Sequence, residues 1–252
     1  NLNQSSIEGI LSHCKGFAVI PSTLFDHPYF GTPVTRLDLS CWKMVALPER
    51  LGELTSLETL DLGGCVNLES LPEQLGELQK MTDINFSSCT KLDLELVFDA
   101  IFKFEGLTKL GLKGLSLKSL PERLGELTSL EDLNLAGCKS LVALPDSLCD
   151  LGHLTRLSLG EVEHQEVRMG GGLFGGRLEK VVHRCESLVA LPERLGELTS
   201  LDKESLMAAL KLVERLPEGI VEHPHLRDAK ELDLSGFVKL VALPERLGEL
   251  TS

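Results

Sequence analysis

Hydrophobic positions along this chain follow two alternating rhythms. In Leu57–Leu78 the apolar positions are Leu57, Leu60, Leu62, Cys65, Leu68, Leu71, Leu75 and Leu78. Leu60 and Leu62 flank a polar Asp61, and this period of two predicts a short strand with one buried face. Beyond Cys65 the spacing changes to three and four, which predicts a 3₁₀ or loosely helical segment. Pro72 opens that segment, where its missing N–H costs little. Gly76 is expected to allow a tight bend.

The unit repeats. Leu-Pro-Glu-Arg-Leu-Gly-Glu-Leu-Thr-Ser occurs identically at Leu47–Ser56, Leu120–Ser129, Leu191–Ser200 and Leu243–Ser252. Near copies stand at Leu71–Leu78 and Leu144–Leu151. Pro48 and Pro72 are 24 residues apart, as are Pro121 and Pro145. A fixed period of this size predicts a solenoid, in which each turn touches only its neighbours.

The pattern L-x-x-L-x-L-x-x-N/C-x-L resembles the leucine-rich repeat. With Cys as the penultimate consensus residue, it is most similar to the repeats of plant-type intracellular disease-resistance receptors. Ras-binding scaffold repeats share the back half but usually carry Asn there. The resemblance implies an α/β fold: a leucine-rich repeat solenoid curved into a horseshoe. Parallel strands would line the concave face, and 3₁₀, irregular and short helical segments the convex face. Residues 1–252 would form one repeat domain of about ten turns. Neither end carries a polar cap, so a segment of a longer array is expected.

Ile7 to Cys14 reads as a strand turn already inside the array. The turn from Val34 reads Val34-x-x-Leu37-x-Leu39 and then runs one residue short to Cys41. Three stretches break the rule: 94–106, 161–177 and 201–231. In the first, the spacing of Val97, Ile101 and Phe104 predicts a helical turn packing aromatics inward. The second holds five glycines, yet Leu154 to Leu178 is still 24 residues. It therefore reads as a turn of normal length that has lost its leucines. In the third, a strict strand register would bury Glu204, and the helix formers from Ser205 to Leu216 predict an intruding helix. Pro21 to Pro48 and Pro217 to Pro244 are both 27 residues, which suggests a duplicated longer unit.

Composition adds limits. The chain is 42 % hydrophobic but only 4 % aromatic, so its core is aliphatic. A formal charge of −13 argues against nucleic acid and against anionic membrane surfaces. It suits the solubility of a long surface, and also a preference for basic partners. No apolar run approaches the roughly 18 residues of a membrane span.

Of the seven cysteines, Cys14, Cys41, Cys65, Cys89, Cys138 and Cys185 are placed at the ladder position just after a strand. A small, weakly donating thiol suits a slot facing buried backbone. One cysteine per turn does not converge on a metal. So many free thiols imply a reducing compartment, cytoplasm or nucleus. His164 among Glu161, Glu163 and Glu166 reads as a solvated loop rather than a metal site. No nucleophile signature occurs, and neither catalysis nor a cofactor is expected.

The variable positions between the leucines are expected to face outward on the concave sheet. They give a partner-binding set of Arg36, Asp38, Glu58, Asp61, Asp83, Asn85, Lys109, Lys113, Glu131, Asp132, Asn134 and Arg156. Trp42 joins it as either a rim anchor or local packing. The function expected is a non-catalytic module binding a protein or peptide, such as the sensing region of an intracellular immune receptor. The alternative is a scaffold that recruits partners to a separate enzyme: a ubiquitin ligase, a phosphatase or a small-GTPase regulator.

Overall fold

Each repeat folds as one turn, and each turn places one short strand beside the last. The computed structural model describes residues 25–26, 33–160, 164–167, 178–181, 184–229, 231 and 233–249. Ile7 to Cys14 lies outside these residues. Six strands, β1 (Arg36–Asp38), β2 (Thr59–Asp61), β3 (Asp83–Asn85), β4 (Lys109–Gly111), β5 (Asp132–Asn134) and β6 (Arg156–Ser158), form one parallel sheet in chain order. The register is strict: Leu37, Leu60, Ile84, Leu110, Leu133 and Leu157 stand side by side. All six are buried, while their strand neighbours are exposed or half-buried. The period of two thus sets which face enters the core.

The strands are short because the chain turns sharply after each one. Gly64, Gly114, Gly137 and Gly236 take positive φ of 70–84°, and Cys41 and Ser88 take 61° at the same step. The next residue enters the ladder slot. Cys65, Cys89 and Cys138 fill it in three turns, and each thiol donates to a strand-end carbonyl of the preceding turn, of Leu39, Leu62 and Leu112, at 3.1–3.2 Å. Cys185 donates likewise to the Leu135 carbonyl at 3.1 Å. Burial pushes the thiols up, Cys65 and Cys138 to about 11 and Cys89 and Cys185 to about 12.

Cys41 is not in this ladder. It is exposed, and Trp42 fills the slot at 1 % exposure. Leu39-x-x-Trp42 matches Leu62-x-x-Cys65, so the strand side of this turn has full length. The missing residue lies later: Trp42 to Leu47 is one step shorter than Cys65 to Leu71. The Trp42 indole N–H has no acceptor among the described residues.

On the back of the regular turns a 3₁₀ segment follows a proline, as at Glu49–Glu53, Glu122–Glu126 and Glu193–Glu197. The glycine of the repeated block does not make a bend. It has no left-handed φ, and its missing side chain lets the next turn approach. A Cβ on Gly125 would lie 2.6 Å from the Ser147 carbonyl oxygen. The arginines tie turns together. Arg50 reaches Asp26 at 2.8 Å and Glu53 at 3.1 Å. Arg194 reaches Asp150 at 3.2 Å and Glu197 at 2.6 Å. Arg123 pairs with Glu126 at 3.0 Å and lies 4.5 Å over the Phe102 ring. The glutamate after the proline reaches forward: Glu193 accepts from Glu218 N at 2.9 Å, at the start of the next segment.

The three irregular stretches each have a cause. Helix α1 (Leu94–Ile101) is capped by Asp93, which accepts from Glu95 N, and buries Val97 and Ile101. Phe104 is buried beyond it, while Phe98 and Phe102 are partly buried and stacked on each other.

The stretch after β6 is an insertion and not a turn of normal length. Gly160 pairs with Arg184, and Cys185 N donates to the Leu159 carbonyl at 3.0 Å. The chain leaves the array after Gly160 and re-enters at Arg184. Between them β7 (His164–Val167) and β8 (Leu178–Val181) pair antiparallel. Leu178 therefore belongs to a hairpin and opens no turn.

Helix α2 (Lys203–Leu210) takes the place of a seventh strand. Asp202 caps it by accepting from Ser205 N at 2.6 Å, and the Ser205 hydroxyl accepts from Leu157 N at 3.1 Å. The helix thereby satisfies a backbone donor on the exposed edge of β6. A last short helix, α3 (Pro224–Arg227), follows the buried His223. The architecture is a leucine-rich repeat solenoid with a six-stranded parallel sheet and short 3₁₀ segments behind it.

Two tests follow from the packing. Gly125→Ala should cost about 1–3 kcal/mol, as overpacking does. Gly152→Ala, where nothing lies within 4 Å, should fall within about 0.5 kcal/mol of wild type by urea denaturation. The second test concerns His223. Its Nε2 bonds the Leu198 carbonyl at 3.0 Å and its Nδ1 accepts from His225 N at 3.2 Å. That fixes the neutral form. Burial lowers its pKa below the ordinary 6.5, against the opposing Leu198 carbonyl. The unfolded ring then takes up a proton first. The stabilisation is therefore full above pH 6.5 and is lost as pH falls from there. His223→Gln should flatten that part of the stability–pH curve between pH 7.5 and 5.

Candidate functional site

The register sorts the outward positions into rows. The first row is Arg36, Thr59, Asp83, Lys109, Asp132 and Arg156. The second is Asp38, Asp61, Asn85, Gly111, Asn134 and Ser158. Nine of the sequence-predicted residues thus stand in these two rows. Lys113 stands two residues past β4, at the strand's C-terminal end.

Glu58 and Glu131 lie one residue before their strands and are exposed. Their backbone carbonyls bind the next turn, at Thr82 and Asp83 and at Thr155 and Arg156. The row position expected for Glu58 belongs to Thr59, which precedes Leu60 as Arg36 precedes Leu37. Trp42 is no part of the face, being buried in the ladder.

Much of this polar surface is internally committed. Asp61, Asn85 and Asn134 each accept from the backbone N–H two residues on, of Gly63, Ser87 and Ala136, at 2.8–3.0 Å. Asp38 does the same for Ser40 at 2.8 Å. These bonds close the turn after the strand and explain why Asx residues recur there. Asn85 also donates to Asp61 at 2.9 Å. Lys109 pairs with Asp83 at 2.9 Å and Arg156 with Asp132 at 2.7 Å. The acidic look of the first turns is therefore partly neutralised across neighbouring strands. The lysine and arginine ends are more than half exposed, so each pair contributes little stability.

Gly111 interrupts the second row. A Cβ there would fall on the Asn85 Oδ1 and the Ser87 hydroxyl. The gap forms a depression of about 280 Å³ bounded by Asp61, Asp83, Asn85, Lys109, Asp132 and Asn134. A second depression of about 300 Å³ lies at the C-terminal ends of the strands. Lys113 and Lys139 line it with Ser88, Ser116, Ser140 and the backbone at Gly114 and Gly137. No group of three His, Cys, Asp or Glu among the described residues could hold a metal ion. His164 lies on β7, whose side chains are outside the described set.

Comparison with known proteins places this geometry. No protein-family model and no curated protein sequence matches the chain. Solved structures do. The leucine-rich repeat domain of the type III effector XopL is 22 % identical over 94 % of this chain and 63 % of that domain, with a TM-score of 0.54. The chain thus spans less than two thirds of that domain's length, and at this identity the likeness is one of fold. A leucine-rich repeat protein of Leptospira interrogans is 18 % identical over 99 % of this chain and 85 % of its own, with a TM-score of 0.42. The Drosophila Toll–Spatzle complex is 20 % identical over 80 % of this chain and 27 % of the other, with a TM-score of 0.46.

Proposed function

We propose that this array is a non-catalytic interaction module that binds a protein or peptide through its strand face. The supporting observation is the contrast between its two faces. On the back, the side chains of the repeated block are spent on turn-to-turn contacts. On the strand face, row positions vary from turn to turn and leave two depressions. The non-catalytic reading rests on the polar groups of that face, which are tied into turn caps and ion pairs. A reducing compartment, cytoplasm or nucleus, fits the free thiols of the described residues. A sensing role in an intracellular immune receptor is the finer reading, carried by the resemblance of the repeats.

Cross-linking in cell extract, read by mass spectrometry, tests the face. Captured proteins should be lost at least roughly tenfold with Lys109→Glu plus Arg156→Glu, and kept with Arg123→Gln plus Arg194→Gln on the back. Circular dichroism would verify both folds. Loss with the back-face variant alone would contradict the assignment.

A further inference from the structure

The two depressions carry opposite chemistry over shared turns. At the first, Asp61 accepts two hydrogen bonds, both on Oδ1. Its other oxygen has no hydrogen bond or ion-pair partner among the described residues. A half-buried carboxylate thus borders the gap left by Gly111. At the second, two lysines and three serine hydroxyls line a space with no carboxylate among its described lining residues. Lys139 is held by Glu186 at 3.5 Å, with both ends at least 60 % exposed, so that pair yields readily to a better anion. Gly111 and Lys113 are two residues apart, roughly 7 Å along an extended chain. An extended peptide has the same spacing between side chains on one face.

We propose that the strand face docks an extended peptide segment bearing a cationic side chain and, two residues along, a carboxylate. The cationic side chain lies over Gly111 against Asp61. The carboxylate lies between Lys113 and Lys139. This rests on the strand-face reading and adds the chemistry of the occupant. Charge complementarity selects it. An all-basic segment meets Lys113 and Lys139, an all-acidic one meets Asp61, and an uncharged one leaves Asp61 without a counter-ion. Gly111 provides the room, because any side chain there displaces Asn85.

The test uses random peptides displayed on phage, selected against the full chain. Gly111→Arg and the milder Thr59→Arg serve as blocked faces. Binders lost on both variants should be enriched in a basic and an acidic residue at i and i+2. Asp61→Asn keeps the Oδ1 acceptor and removes only the charge. It should weaken such a peptide roughly tenfold, as should Lys113→Gln plus Lys139→Gln, and exchanging the peptide's two charges should abolish binding. Glu186→Gln should tighten binding up to a few-fold by freeing Lys139. Face-dependent binders that lack the charge pair, or ignore Asp61→Asn, would overturn the proposal while leaving the strand face as the binding surface. Binders indifferent to both blocked faces would overturn the strand-face reading itself.

Discussion

Everything in this array depends on the spacing between neighbouring turns. Parallel strands sit about 4.8 Å apart, and every turn must meet that distance at its strand, at its ladder slot and at its back. At the slot, a buried carbonyl of one turn needs a donor from the next. A thiol provides a weak donor without the bulk or desolvation cost of a larger polar group. At the back, the glycine of the repeated block removes the side chain that would hold the turns apart. A change at either place acts on two turns at once.

This constraint explains the division between faces. The Leu-Pro-Glu-Arg-Leu-Gly-Glu block is conspicuous because nearly every residue in it answers to a neighbouring turn. Leucines fill the core, proline starts the 3₁₀ segment, glutamate reaches forward and arginine reaches back. Such a block can be copied, because each copy meets the same surroundings. The strand face carries fewer such duties: Asx bonds close several of the turns, and a few side chains pair across neighbouring strands. Row positions are therefore free to differ, and a missing side chain at Gly111 becomes a depression rather than a defect.

The repeat, the strands and the core were legible in the sequence because period two and the leucine spacing report directly on burial. Where reading failed, chance spacing imitated the rule. Cysteine in the slot of other turns points to Cys41 here. Counting from Leu39 puts Trp42 there, and the shortening lies after it. The hairpin between Gly160 and Arg184 is almost one period long. Leu178, a leucine at the head of β8, falls where a new turn would begin. Sequence spacing alone does not separate the two. Only the pairing of Gly160 with Arg184 and the bond from Cys185 to Leu135, 50 residues back, does so. The helix at Lys203–Leu210 was foreshadowed by its composition, but its service to the sheet edge through Ser205 was not. The face residues were found by counting between leucines. Their mutual ion pairs need the register.

The central claim is that the ladder thiols are sealed between turns. Alkylation of the native protein with iodoacetamide at pH 8, mapped by mass spectrometry, tests it most directly. The exposed Cys41 should react readily. Cys65, Cys89, Cys138 and Cys185, buried and held near 11–12, should react orders of magnitude more slowly, at a rate tracking unfolding in urea. Modification of any of these four as fast as Cys41 would contradict the ladder and the turn spacing built on it.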